Sequence, residues 1–180
     1  MRYKHVFAVC AYKDSPYLEQ CIRSLKAQTV PSHIIICTST PSSYIDRLAW
    51  KYGLQVCVRQ GESGIKDDWN FAYSMAEGEL VTIAHQDDMY HRDYSERLLA
   101  AHRRYPDMTV FTTDYVIVKQ GALITGDAML WIKRILRTPL RFPQMNDRAW
   151  VKKLAFVLGN PICCPATTYH KAVLGEPFVR

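Results

Sequence analysis

Short apolar runs alternate with helical stripes through the first 115 residues of the chain, and this pattern restricts the fold more than anything else in the sequence. The runs are His5–Ala11 (HVFAVCA), His33–Thr38 (HIIICT), the shorter Gln55–Arg59 (QVCVR), Leu80–His85 (LVTIAH) and Thr109–Tyr115. Uninterrupted apolar runs of this length suit strands buried on both faces. Between them lie Leu18, Cys21, Ile22 and Leu25, then Ile45, Leu48, Ala49 and Tyr52, then Trp69, Ala72, Tyr73 and Ala76. Each set falls on one face of a helix. A fourth helix is expected from about Asp93 to Tyr105, stopped by Pro106. Ser15-Pro16 and Pro41-Ser42-Ser43 read as helix starts, and Gly53 as a helix end. Strand and helix repeating with short connections predicts right-handed βαβ units: an α/β fold with a mostly parallel central sheet and helices on both faces.

Near residue 120 the alternation stops. Val116–Val118 is expected to lead into a hairpin at Gly121, followed by helices over Asp127–Arg137 and Asp147–Leu158. Asn160–Tyr169 reads as an irregular segment ending in a strand. Residues 1–120 and 121–180 are thus expected to be two halves of one domain.

The net charge of +6 suits an anionic partner without naming it. The excess gathers at Lys133, Arg134, Arg137, Arg141, Arg148, Lys152 and Lys153, opposed only by Asp147. Met129–Phe142 mixes this charge with Trp131, Ile132 and Ile135. It reads either as a core-packing helix with a solvated basic side or as a peripheral contact with an anionic membrane. No helix-turn-helix, zinc-finger or RNP-like pattern supports a nucleic-acid partner. No stretch approaches the ~20 apolar residues of a membrane span. Of the six cysteines, Cys10, Cys21, Cys37 and Cys57 lie inside apolar elements and read as reduced core thiols of a cytoplasmic protein. His170 and the Cys163-Cys164 pair match no common zinc spacing and read as structural.

In open α/β sheets, ligands bind at the carboxyl ends of the strands. Ala11-Tyr12-Lys13-Asp14, Thr38-Ser39-Thr40 and His85-Gln86-Asp87-Asp88 stand there. Asp87 and Asp88 carry the strongest chemical signal. Adjacent carboxylates repel, but they become hard oxygen ligands around Mg²⁺ or Mn²⁺, ions that commonly share a site with substrate phosphates. On local sequence alone, a solvated turn explains the pair equally simply. Asp67 or Asp68 reads as a helix cap, and a donor-site role for Lys66 has little support.

The order of these segments resembles the family 2 glycosyltransferases, whose fold is the Rossmann-like GT-A type. The resemblance rests on Val9-Cys10-Ala11-Tyr12, the run from Tyr17 to Thr29 (YLEQCIRSLKAQT), Gly64 with Asn70, Ala76-Glu77-Gly78-Glu79 and His85-Gln86-Asp87-Asp88, and is continuous over about residues 5–100. It implies that Asp87 and Asp88 match the family's DXD motif, one contacting a ribose and the other a metal bridging a diphosphate. It also implies that Ala11 and Tyr12 line a nucleotide base. The expected activity is inverting, metal-dependent transfer from a nucleotide-diphosphate sugar, UDP-linked by preference, to a hydroxyl of a glycan or lipid-linked acceptor. Cell-surface polysaccharide or glycan synthesis, in the cytoplasm or at the inner face of the membrane, is the expected setting.

Two departures stand out. Where the family places an Asp pair after the second strand, this chain has Thr38-Ser39, so Ser39 is the expected base contact through its hydroxyl. The first acidic position of the usual motif is His85, which reads as a supporting partner behind the metal or as a strand-end residue. The family's general base lies beyond a segment like Gly159–Pro165. Asp114, Asp127 and Asp147 are the carboxylates available here, with Asp114 the best placed, and the chain is expected to be the N-terminal portion of a longer enzyme. A binding domain without turnover is the nearest alternative. A sugar nucleotidyltransferase would need a Gly-rich loop where Ala11–Pro16 stands.

Overall fold

Each apolar run of the first half becomes a strand because both of its faces are covered. In the computed structural model, which describes residues 2–119, 121–124, 126–142, 144–146, 148–157 and 159–175, β1 is Tyr3–Ala11, β2 His33–Thr38, β3 Gln55–Val58 and β4 Gly78–His85. Along β1, Phe7, Val9 and Ala11 enter one core while Val6 and Ala8 enter the other. That alternation is the two-residue period of a pleated strand. Helices α1 (Leu18–Lys26), α2 (Ser43–Tyr52) and α4 (Tyr94–Arg104) cover the first face, and α3 (Ile65–Met75) covers the second.

The six-stranded sheet runs β3-β2-β1-β4-β8-β5, with β5 at Val110–Thr112 and β8 at Thr167–His170. β1 pairs in parallel with both β2 and β4, placing Cys10 beside Cys37 on one side and His85 on the other. β8 runs antiparallel to β4. The chain first builds outward from β1 to β3 and then returns to β1's other edge with β4. The strand order therefore reverses beside β1, where ligand crevices form in such sheets.

Two glycines are fixed by geometry. Gly53 closes α2 in the left-handed conformation at φ +62°. At Gly78 a side chain would meet the Leu80 carbonyl and Val6 Cγ2, both at 2.8 Å, so the start of β4 admits no Cβ. Helix starts follow their sequence signals, with shifts. Ser42 caps α2 by accepting from Ile45 N–H at 3.3 Å. Helix α1 begins three residues after Ser15, because Pro16 and Tyr17 form a turn whose Leu18 N–H donates to the Ser15 carbonyl. The Lys171 ammonium donates to the carbonyls of Tyr73 and Ser74 at the end of α3, satisfying groups that the helix leaves open.

The chain divides into two compact units, Met1–Phe111 with Thr167–Arg180, and Thr112–Ala166. The second unit holds the expected hairpin, β6 (Ile117–Lys119) with β7 (Ala122–Ile124), and helices α5 (Ala128–Arg137) and α6 (Ala149–Val157). The fifth strand is shorter than the run Thr109–Tyr115 suggests. Past Thr112 the backbone leaves the sheet, and Thr113 N–H pairs with Ala166 instead. A short helix α7, Lys171–Leu174, follows β8. None of the six cysteines is in a disulfide, and Cys21, Cys37 and Cys57 are buried.

A polar chain runs through the core of the first unit. His5 Nδ1 lies 2.8 Å from Ser32 Oγ and His5 Nε2 lies 2.8 Å from Thr82 Oγ1. Thr82 in turn meets Thr168 at 2.6 Å, and Thr168 meets Tyr94 Oη at 2.9 Å. These bonds satisfy groups that would otherwise be costly to bury. Burial drives the His5 pKa down to about 3. The folded chain keeps this ring neutral, while the unfolded chain protonates it near pH 6.5, so the unfolded state binds more protons between those limits. His5 therefore contributes a loss of stability on acidification through that window, by up to ~1.4 kcal/mol per pH unit. In urea denaturation over about pH 4.5 to 7, His5→Gln is expected to be less stable overall but to lose less stability per pH unit. An unchanged slope would show that another group governs it.

Candidate active site at the β1–β4 crevice

A cleft of about 420 Å³ opens at the carboxyl ends of β1 and β4. Its lining includes Ala11, Tyr12, Ser63, Asp68, Trp69 and Asp87. Three segments distant in sequence thus meet at the strand-order reversal.

Gln86 joins two of them. Its Oε1 accepts from Tyr12 N–H at 2.9 Å, and its Nε2 donates to the Tyr12 carbonyl at 3.0 Å. The side-chain amide thereby continues the β1–β4 ladder one step past its last backbone pair. Tyr12 itself is 47% exposed, its ring under the Lys13 ammonium at 4.9 Å. Lys13 takes a left-handed φ of +53°, and its N–H donates to Thr40 Oγ1 at 2.7 Å.

The acidic turn follows directly. Asp88 N–H closes it on the His85 carbonyl at 3.2 Å, and Cys21 Sγ approaches the same carbonyl at 3.3 Å from α1. The Cys21 thiol stays protonated, its pKa pushed up to about 12 by burial and then by the charges of Asp88 and Asp87. The His85 ring packs against Trp69 at a tilt of 32°, with centroids 4.9 Å apart, and its Nδ1 lies 3.7 Å from Asp88 Oδ2. Burial holds the His85 pKa below its usual value, against the pull of Asp87. Ligand atoms of His85, Asp87 and Asp88 all lie within 4.8 Å of one another. Burial and the neighbouring Asp87 raise the Asp88 pKa to about 6. Crowded carboxylates with a raised pKa mark a place where a cation would relieve charge. Two carboxylates and an imidazole therefore fit a divalent metal as a donor set.

The wall on the β2 side is organised by Asp68. Its Oδ1 receives Arg59 Nε at 2.7 Å, and its Oδ2 accepts from Ser39 Oγ at 3.0 Å and from Gly64 N–H at 3.1 Å. Ser39 Oγ also lies 2.9 Å from Ser63 Oγ. Gly64 is the N-cap of α3, and the cap expected of Asp67 or Asp68 is not formed: Asp68 lies inside the helix, where it accepts the N–H of the cap residue and fixes the loop from Arg59. Sequence reasoning ties it to the helix start but does not supply the second of these roles. A Gly four residues ahead of an Asp, together with the missing carboxylates at Thr38-Ser39, is the available signal for the second. Trp69, expected on the core face of its helix, is half-buried and packs on His85. Lys66 and Asp67 make no bond to this wall among those described.

The structure thus brings Ala11, Tyr12 and Asp87 to one cleft and Asp88 into the cluster with His85 and Asp87, with Ser39 bonded to two lining residues. The three candidate bases fare differently. Asp114 lies in the second unit, where Arg134 Nε and Arg137 Nη2 hold it at 2.8 and 2.6 Å. Burial raises its pKa, but the Tyr115 backbone and these arginines outweigh that and keep it below the carboxylate norm. A carboxylate so held is a weak base and a good anchor for α5. Asp127 caps α5 by accepting from Leu130 N–H at 2.8 Å. Asp147 lies outside the described residues.

The model of glycosyl transferase family 2 matches residues 6–159. The chain belongs to that family. Among curated proteins nothing matches the sequence. Of solved structures, S. aureus TarS 1–349 in complex with UDP aligns with a TM-score of 0.64 at 19% identity, covering 95% of this chain and 48% of that one. Glucosyl-3-phosphoglycerate synthase from Mycobacterium tuberculosis, in complex with UDP, gives 0.62 at 13%, covering 96% and 58%. The same enzyme with Mn²⁺ and UDP-glucose gives 0.61 at 11%, with the same coverage. At these identities the likeness is one of fold, and this is the GT-A fold of a family 2 transferase. The chain spans about half the length of these structures.

A charged Asp88 is disfavoured first by its burial and then by the neighbouring Asp87, and removing its charge relieves both. Asp88→Asn is expected to raise metal-free stability near pH 8 by ~1 kcal/mol after discounting for solvent screening, about 2–4 °C in Tm. The gain should shrink as pH falls toward 5, where the wild-type Asp88 takes up its proton. A differential scanning fluorimetry series showing a lower Tm for the variant at both pH values would mean that Asp88 is held by unrecognised favourable contacts.

Proposed function

We propose that the family 2 domain binds a nucleotide-diphosphate sugar, UDP-linked by preference, at the β1–β4 crevice and delivers the sugar to an acceptor hydroxyl with inversion. The observation that carries this reading is the convergence of Tyr12, Gln86 and the Asp87-Asp88 turn at one cleft mouth. Tyr12 offers an exposed ring on which a base can pack, beside Ala11. Ser39, oriented by Asp68, and Ser63, bonded to Ser39, supply hydroxyls that can donate to or accept from base or ribose atoms. This arrangement takes the place of the Asp pair that the family resemblance leads one to expect after β2. Asp87 and Asp88, with His85 beside them, would hold Mn²⁺ or Mg²⁺. When bound, such an ion neutralises the charge that develops on a departing diphosphate. TarS and glucosyl-3-phosphoglycerate synthase structures contain UDP or UDP-sugars on the same fold, the latter with Mn²⁺ as well. That supports the donor class while leaving sugar, acceptor and linkage to experiment. The division of labour assigns nucleotide binding to residues 1–120 and the acceptor side to 121–180.

The second unit supports a further part of the proposal, peripheral contact with an anionic membrane through residues 129–142. Trp131, Ile132, Ile135 and Phe142 are exposed, close in sequence to Lys133, Arg134 and Arg141. This is the composition of a helix lying in a lipid interface. The core-packing alternative for these side chains finds support at Leu130 and Arg137, which are buried. Among the described residues no helix is long and apolar enough to cross a membrane.

Titration calorimetry with UDP and Mn²⁺ tests the donor site. Asp87→Ala and Asp88→Ala are each expected to weaken metal-dependent binding at least about tenfold, or ~1.4 kcal/mol, while leaving the fold intact by circular dichroism. Equal affinity in wild type and both variants would remove the assignment. Sedimentation with vesicles tests the second part: binding should rise with anionic lipid content and fall in Trp131→Glu. Indifference to lipid charge would discard it.

A further inference from the structure

A carboxylate and two imidazoles meet at the end of the sheet opposite the acidic turn. Glu79 is the second residue of β4, His102 lies in the last turn of α4, and His170 closes β8. Along β4 the distance from Glu79 to His85 is about 20 Å. Nothing in the donor-site reading uses this cluster.

Its geometry is that of converging ligands. The three ligand atoms lie within 4.8 Å of one another. Glu79 Oε1 is 3.1 Å from His102 Nε2 and 3.5 Å from His170 Nε2. Both histidines are buried, 7% and 6% exposed, and their rings meet edge to face at 5.1 Å. His170 Nδ1 lies 2.9 Å from the Met108 carbonyl. A carbonyl only accepts, so the ring proton sits on Nδ1 and, in the neutral ring, Nε2 turns a bare lone pair toward Glu79. A backbone carbonyl on the far nitrogen is how proteins orient a metal-binding imidazole. His102 Nε2 is sealed from solvent and makes no well-formed hydrogen bond, although Glu79 Oε1 is close by. Lys4 Nζ donates to Glu79 Oε2 at 2.8 Å, which leaves Oε1 to the cluster.

The bare lone pair of His170 Nε2 repels the Glu79 oxygen it faces unless positive charge or a proton lies between them. A neutral His102 could turn an Nε2 proton toward Glu79, but no well-formed hydrogen bond is made there, and His170 could donate only as an imidazolium, buried beside a carboxylate that already holds the Lys4 ammonium. One divalent cation satisfies all three atoms at once.

We propose that Glu79, His102 and His170 form a second metal site, for Zn²⁺ or a similar borderline ion, with Glu79 Oε1 and the two Nε2 atoms as ligands. Two imidazoles and one carboxylate suit a tetrahedral zinc centre, with water in the fourth position, better than they suit Mg²⁺. The role is structural. The site fastens α4 and the antiparallel strand β8 to β4, at the point where the chain rejoins the sheet after residues 112–166.

The test separates this site from the acidic turn by working in the D87N/D88N double variant. Zinc titration followed by thermal melts is expected to show about one equivalent bound per chain. At roughly 100-fold excess over Kd, Tm should rise by about 5–10 °C. Co²⁺ should give the visible absorption of a tetrahedral centre. Both signals should vanish when H102Q or E79Q is added. E79Q keeps an oxygen for Lys4, so it decides the matter if H102Q does not fold. The proposal is overturned if D87N/D88N takes up no zinc, or if the variants carrying E79Q keep the same stoichiometry and spectrum. UDP binding by the wild type with Mn²⁺ is read separately, so failure of either site leaves the other standing.

Discussion

The pairing of β1 with β4 is the constraint on which the rest of the first unit depends. β1 is buried on both faces and bonded on both edges, to β2 and to β4. Because β4 joins it in parallel, with Cys10 beside His85, the ends of two segments more than seventy residues apart in sequence arrive together. Gly78 lets β4 start in contact with Val6, and the His5–Thr82–Thr168 chain ties both strands to β8. Loss of that register by one residue would turn every side chain to the opposite face.

Much of this is legible in the sequence because burial leaves a simple mark. HVFAVCA and HIIICT are apolar on both faces, and only a strand covered on both sides needs that. The stripes at Leu18–Leu25 and Ile45–Tyr52 need a single covered face, and helices supply it. The acidic turn is legible for another reason: Asp87-Asp88 alone also reads as a solvated turn, and only the order of the segments before it points to a site. What sequence does not show are contacts set by tertiary approach. Asp68 reaches Ser39 across two elements, and Gln86 reaches the Tyr12 backbone. The grouping of Glu79, His102 and His170 is hidden most completely. Local zinc spacing is absent, because its three members lie on three elements that are neighbours only in space.

The second unit follows a different logic. Its order comes from charge, with Asp114 holding Arg134 and Arg137 and thereby α5, while Lys133 and Arg137 lie over the Tyr115 ring. Buried apolar residues are few there, Leu130, Val151 and Ala155 among them. Such ion pairs add little stability when solvated but specify geometry well.

The paired hydrogen bonds from Gln86 to the Tyr12 backbone have a mechanical meaning. The amide sits one residue before Asp87, so the aromatic ring and the carboxylate pair are mounted on a single stiff bracket. Whatever presses on the ring displaces the bracket, and whatever draws the carboxylates together loads it from the other side. Two occupants of this crevice would sense each other without touching, and thermodynamic reciprocity requires the influence to be equal in both directions.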